Sequence, residues 1–255
     1  MASAQQPPIE RVLQHRISPA RLAPYIRETP SLQEAIRLYR WNIDLSGAVY
    51  EALHVFEVVL RNAIDEELCS WNSSQLDPAT GRLHSSDWLI DPSALLLRIA
   101  GRDIPDAKRR AFKSTKRRPQ GLREPLHEDI LAAMSLGTWR FILPGRHDAG
   151  KQRLWDEAVR KAFPHLTRTS QELERAVEGV YHLRNRVAHL EPIINSNVPA
   201  QLVNMRTVIG AIDPQLLSWF TSTERISTTL TMRPSPGSHG TVRPTKPRNR
   251  SPGNA

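Results

Sequence analysis

Leu45, Val49, Ala52, Phe56, Val59, Leu60 and Ala63 recur at intervals of three and four residues. That spacing lays one apolar stripe along a helix and commits the stretch to packing sideways against other helices. Ser31 is placed to cap its start, with Glu34 three residues on. The segment Asn42 to Gly47 is a point of interruption, giving two helices or one bent one. No segment alternates with period two over a useful length, so the fold class is all-α.

Residues 1–30 carry Pro7, Pro8, Pro19, Pro24 and Pro30 and read as an irregular N-terminal arm. Residues 70–91 read as a loop with Trp71 and Trp88 tucked inward. "PSALLLRIAG" is a short helix with Pro92 in its first turn and Gly101 after its end. "EPLHEDILAAMSLGTWRFIL" is one further helix and "KQRLWDEAVRKAFP" another, stopped by Pro164. "TSQELERAVEGVYHLRNRVAHL" follows, capped by Thr169 or Ser170 and stopped by Pro192. "PAQLVNMRTVIGAI" and "PQLLSWFTSTERI" supply two more. Residues 31–231 thus form a single all-α domain, and 232–255, rich in proline, serine, glycine and basic residues, form a disordered basic tail.

The net charge is +9, and five of the positive residues, Arg233, Arg243, Lys246, Arg248 and Arg250, lie in that acid-free tail. Such basicity favours polyanionic partners, nucleic acid first. Cys69 is the only cysteine, so an internal disulfide is impossible and a Cys-based metal cluster is not expected. The histidines are dispersed without metal-ligand spacing, so no metal or cofactor is expected. No apolar run approaches the roughly 20 residues of a membrane span. The N-terminus lacks a signal-peptide core. Together these predict a cytoplasmic protein with no membrane partner.

Chemistry concentrates at "YHLRNRVAHLEPII", residues 181–194. On a helix Val180, Leu183 and Val187 share the core face, while His182, Asn185, Arg186 and His189 share the opposite stripe. Arg184 falls about 140° from His189, so one straight helix does not join them. An imidazole has its ordinary titration near neutrality, as a general acid or base requires. A neighbouring guanidinium is a permanent forked donor for a phosphate gaining charge. Asn185, one turn before His189, can orient the ring or bind a phosphate oxygen. The set suits metal-independent attack of a ribose 2′-hydroxyl on its own phosphodiester. Taken singly, each of these residues has a plainer reading as a helix cap or a solvated side chain.

"RNRVAH" at 184–189 resembles the R-N-x-x-x-H motif of the HEPN superfamily, an all-α group with many metal-independent endoribonucleases. Residues 38–68, 131–143, 154–164 and 183–193 resemble, in order, the blocks of bacterial Abi-like proteins, named for abortive-infection phage resistance. Many relatives carry a second histidine after the motif's own, where this chain has Leu190. The resemblance implies a HEPN-like helical bundle with extra helices. It also implies a homodimer in which two motif helices face each other across a composite cleft. The activity implied is an endoribonuclease serving as toxin or anti-phage effector, with Arg184, Asn185 and His189 as catalytic residues; a neutralising antitoxin is a compatible partner.

Glu57, Arg61 and Asp65 are spaced by four, which reads either as a surface ion-pair ladder or as a wall of the same cleft, with Glu57, Arg61 or Asn62 assisting. His182 and Arg186 are candidate RNA-backbone ligands. The run 108–118 holds seven basic residues among eleven and reads as a solvated loop that would attract RNA. "LPGRHDAGK" lacks phosphate-loop spacing and is set aside. Two other function classes share the same features: a non-catalytic RNA- or nucleotide-binding module, and a protein–protein regulator.

Overall fold

The regular structure of the described residues, which in this computed structural model are 8–115, 124–145 and 148–235, is helical, with no strand among them. Contacts divide the chain into two units, Met1–Trp41 with Met232–Ala255, and Asn42–Thr231.

In the first unit the proline-rich start is helical, which corrects its reading as an irregular arm. Helix α1 spans Ile9–Ile17 and α2 spans Pro19–Arg27. Two of the prolines occupy tolerated places, Pro8 as the N-cap of α1 and Pro19 opening α2, where an N–H has no intrahelical partner anyway, while Pro24 lies inside α2. Ser18, at φ 81°, turns the chain between the two, and its side chain accepts from the Arg21 N–H at 3.3 Å. Leu22 and Tyr25 are buried, and Tyr25 meets Tyr39 edge-on at 5.2 Å. Burial, reinforced by Tyr39, pushes the Tyr25 phenol up to about 12 against the pull of Arg21. Of the segment expected to be a disordered tail, Met232–Ser235 is described, with the Arg233 guanidinium 5.2 Å from the Trp41 ring centroid. The rest of it lies outside the described residues.

Helix α3 runs unbroken over Leu32–Asn72, so Asn42–Gly47 interrupts nothing. Ser31 does cap it, accepting from the Glu34 N–H at 3.2 Å. In the second unit Leu45, Val49, Ala52, Phe56 and Leu60 of its stripe are buried, Val59 and Ala63 are half-buried, and Ile64 and Leu68 continue the buried face. Burying side chains of this size stabilises by about 1.5–3 kcal/mol each.

Asn72, fully buried at the end of α3, organises the segment that follows. Its amide N–H groups donate to the Ser85 and Asp91 carbonyls at 2.7 and 2.9 Å, and its oxygen accepts from the Ser93 N–H at 2.9 Å. Trp71 and Trp88 point inward from this region and are buried.

Helix α4 is Ala94–Ala100 with Ser93 at its N-cap position, so Pro92 lies one residue before the cap. Helix α5, Ile104–Thr115, takes in most of the basic run expected to be a loop, while residues 116–118 lie outside the described residues. Asp106 in its first turn and the Arg109 pair make a helical register favourable there.

The expected single helix over 124–143 is two, α6 His127–Ala133 and α7 Leu136–Ile142. Met134 and Ser135 between them are extended, and the Arg110 guanidinium binds the freed Ala133 carbonyl at 2.8 Å. Helix α8, Ala149–Glu157, passes into a 3-10 turn at Val159–Ala162. Asp148 caps α8, accepting from the Gly150 and Lys151 N–H groups at 3.0 Å, and grips the Arg98 guanidinium with both oxygens.

Arg98 and these backbone bonds hold the Asp148 carboxyl well below the usual carboxylate range. A depressed carboxylate contributes stability above its unfolded value of 3.8, and that contribution is lost as pH falls below it. Asp148→Ala is therefore expected to cost about 1 kcal/mol at pH 7. In urea denaturation the gap between variant and parent should narrow below pH 4.

Helices α9 (Ser170–Ala188), α10 (Val198–Ile212), α11 (Pro214–Thr223) and α12 (Ile226–Thr231) complete the unit. Helix α9 packs against α10 and α7.

Candidate functional site

Thr169 and Glu172 close a reciprocal capping box that starts α9: the Thr169 hydroxyl accepts from the Glu172 N–H, and the Glu172 carboxylate accepts from the Thr169 N–H. Leu173, Val177, Val180, Leu183 and Val187 bury one face, which turns Asn185, Arg186 and His189 away from the core.

The helix stops by a left-handed residue before Pro192 is reached. His189 is the C-cap and Leu190 has φ 56°. The Leu190 N–H donates to the Val187 carbonyl at 3.0 Å and the Glu191 N–H to the Arg186 carbonyl at 2.8 Å, a Schellman pair normally built on glycine. Arg186 braces this turn: its guanidinium donates to the Pro192 carbonyl at 2.8 Å and lies 3.8 Å from Glu191. The Ile193 N–H then donates to the Asn42 side-chain oxygen at 2.9 Å. Leu190 is 71% exposed and loses little packing on truncation. Leu190→Gly is thus expected to stabilise by about 0.5–1 kcal/mol, read as a raised melting temperature, because glycine tolerates positive φ.

His189 is exposed, and its imidazole makes no hydrogen bond or ion pair among the described residues. Asn185, half-buried one turn earlier, likewise makes no side-chain hydrogen bond among them.

Arg184 points elsewhere. Its Nε lies 3.9 Å from a Glu57 carboxylate oxygen, too far for a hydrogen bond. Both residues line a polar cleft of about 520 Å³ together with Asp103, Asp106, Arg110 and Ser135. Asn185 and His189 do not line it. Among the predicted residues the structure therefore joins Arg184 with Glu57, and leaves His189 with Asn185 at the helix end. Arg61 donates to Asn62 at 3.1 Å, and the ladder Glu57–Arg61–Asp65 does not form. His182 lies 3.6 Å from Glu178, which also meets Arg140 at 3.3 Å, while Arg140 stacks on Tyr181.

Asp65 is absent from the ladder because it is buried. It accepts from the Trp88 indole N–H at 2.8 Å and pairs with His127 Nε2 at 2.9 Å. Cys69 Sγ, one turn along α3, lies 3.7 Å from the same nitrogen. Burial opposes protonation of His127, but the Asp65 carboxylate and the Cys69 sulfur outweigh it and push the imidazole up to about 10. Sequence spacing shows Asp65 and Cys69 on one helix face; it does not show His127, 62 positions from Asp65. The reading of dispersed histidines without metal-ligand spacing missed this cluster, since the third group arrives through tertiary packing.

No helix among the described residues is long and apolar enough to cross a membrane. Comparison of the chain with known protein families, curated proteins and solved structures finds no match.

Proposed function

We propose that the chain is a metal-independent endoribonuclease of HEPN-like, Abi-like type, acting as a toxin or anti-phage effector. The observation that carries the reading is His189 itself: an exposed imidazole with no side-chain partner among the described residues, one turn beyond Asn185, on a helix end whose following turn is braced by Arg186 and Asn42. Arg184 supports it, since at 3.9 Å from Glu57 its guanidinium fork still has donors for phosphate.

In the proposed reaction the 2′-hydroxyl proton passes to an imidazole as the 2′-oxygen bonds to phosphorus. The bond from phosphorus to the 5′-oxygen breaks, and that oxygen leaves with a proton. The products are a 2′,3′-cyclic phosphate and a free 5′-hydroxyl. Arg184 stabilises the charge on the phosphorane-like transition state, Asn185 orients, and Glu57, Arg61, Asn62, His182 and Arg186 are substrate-side candidates. One His189 supplies either the base or the acid, so a homodimer that brings a second motif helix to the same cleft completes the set.

The test is incubation of purified chain with RNA in EDTA and analysis of the ends. New 2′,3′-cyclic phosphate termini support the reading. Salt-sensitive RNA binding without scission, over a range of RNAs, replaces it with the non-catalytic binding module, a reading favoured by the separation of Arg184's cleft from His189. Loss of a protein partner, with RNA affinity unchanged on mutating 182–189, would indicate a regulator.

A further inference from the structure

Asp65, Cys69 and His127 offer a carboxylate oxygen, a sulfur and an imidazole nitrogen that all lie within 4.8 Å of one another. Helical spacing fixes the first two: four residues apart on α3, they project from one face. His127, the first residue of α6, brings the third. The Nε2 position faces three acceptor atoms at once, the two Asp65 oxygens at 2.9 and 3.2 Å and Cys69 Sγ at 3.7 Å. One N–H proton cannot satisfy three acceptors. A cation beside it can take one Asp65 oxygen, the Cys69 sulfur and the His127 nitrogen together as ligands.

The dimensions agree with that. Tetrahedral zinc with bonds of about 2.0–2.3 Å places its donor atoms about 3.3–3.6 Å apart. The sulfur–nitrogen separation of 3.7 Å already matches, and the oxygen–nitrogen separation needs to open by only a few tenths of an ångström. Trp88 donates to Asp65 Oδ1, leaving Oδ2 for an ion and orienting the carboxylate from behind, as outer partners of metal ligands do. The Asp65 charge has no lysine or arginine partner among the described residues.

We propose that Asp65, Cys69 and His127 form a mononuclear site for a zinc-class transition metal, separate from the Arg184–Asn185–His189 helix end. The mixed thiolate, imidazole and carboxylate set selects zinc, cobalt or nickel over magnesium and calcium. Three protein ligands leave the fourth position to water, and half-exposed Cys69 gives the route in. Binding ties α6 to α3, so the metal stabilises the fold.

The experiment uses the full chain, reduced and stripped of metal, titrated with Co2+ and with Zn2+. Expected are one Co2+ per chain, a near-ultraviolet sulfur-to-cobalt charge-transfer band, and a melting temperature that rises with Zn2+. Cys69→Ser, at a half-exposed position, is expected to stay folded by circular dichroism and to lose the band. His127→Gln is expected to weaken binding at least tenfold. A folded, reduced wild type that binds Co2+ without the charge-transfer band overturns the proposal, as does a Zn2+ affinity equal in wild type and folded His127→Gln. If His127→Gln does not fold, the wild-type spectrum and the Cys69→Ser comparison decide. RNA cleavage does not enter either readout, so the site stands or falls independently of the proposed nuclease.

Discussion

His189→Ala is expected to lower RNA cleavage by about 10²–10⁴-fold, the usual contribution of a general acid or base. Arg184→Ala is expected to lose about 10²–10³-fold, as when a charge-stabilising donor is removed from a transition state. Because the groups act on one step, the double variant is expected to be little worse than the poorer single variant. Both variants are expected to keep binding RNA and to stay folded, since His189 is exposed and Arg184 makes only a loose contact with Glu57. Single-turnover cleavage of a labelled RNA, with affinity measured in parallel, checks each point. Arg186→Ala is the informative control: it frees the Pro192 carbonyl and the turn, so its effect belongs in the melting curve as well as in the rate. Undiminished cleavage in both His189→Ala and Arg184→Ala would sink the catalytic assignment.

Asn72→Ala carries the largest expected loss of stability, about 3–4 kcal/mol. Three hydrogen bonds disappear together. Each buried group left without a partner costs about 1–3 kcal/mol, and the Ser93 N–H is the worst placed, since Ser93 is itself buried. Ser85 is exposed, so its carbonyl regains water and the total stays below the sum of three full penalties. The urea midpoint should fall with little change in slope, and the segment 73–92 should become the first site of proteolysis. Asn72→Asp separates the contributions. It keeps an acceptor for Ser93 but sets a carboxylate against the Ser85 and Asp91 carbonyls, so it should be no more stable than the alanine variant.

How much of this was legible in the sequence depended on the range of the interaction. The stripe from Leu45 to Ala63 and the Ser31 cap are local and were read directly, while the start of α9 was left between Thr169 and Ser170 until the Glu172 box decided it. The helices at 9–27 were hidden because prolines break helix interiors, yet Pro8 and Pro19 sit at starts, where a missing N–H costs little, and α2 continues through Pro24. The break at Met134–Ser135 was not visible because Arg110, from a different helix, satisfies the carbonyl that the break exposes. Arg184 and His189 were placed far apart around α9 by angular reasoning, and Glu57 rather than His189 is what Arg184 meets. Asp65 looked like one rung of a charged ladder, because nothing local announces that Trp88 and His127 converge on it.

The chain just after His189 is clamped: Arg186 holds the Pro192 carbonyl, and Asn42 holds the Ile193 amide. Fixing a residue's backbone removes about 1–2 kcal/mol of conformational freedom, and at this position folding has already removed it. Only two side-chain torsions remain for the imidazole to search. An incoming ligand, of whatever kind, therefore meets a ring on a stiff mount and loses little entropy in aligning it.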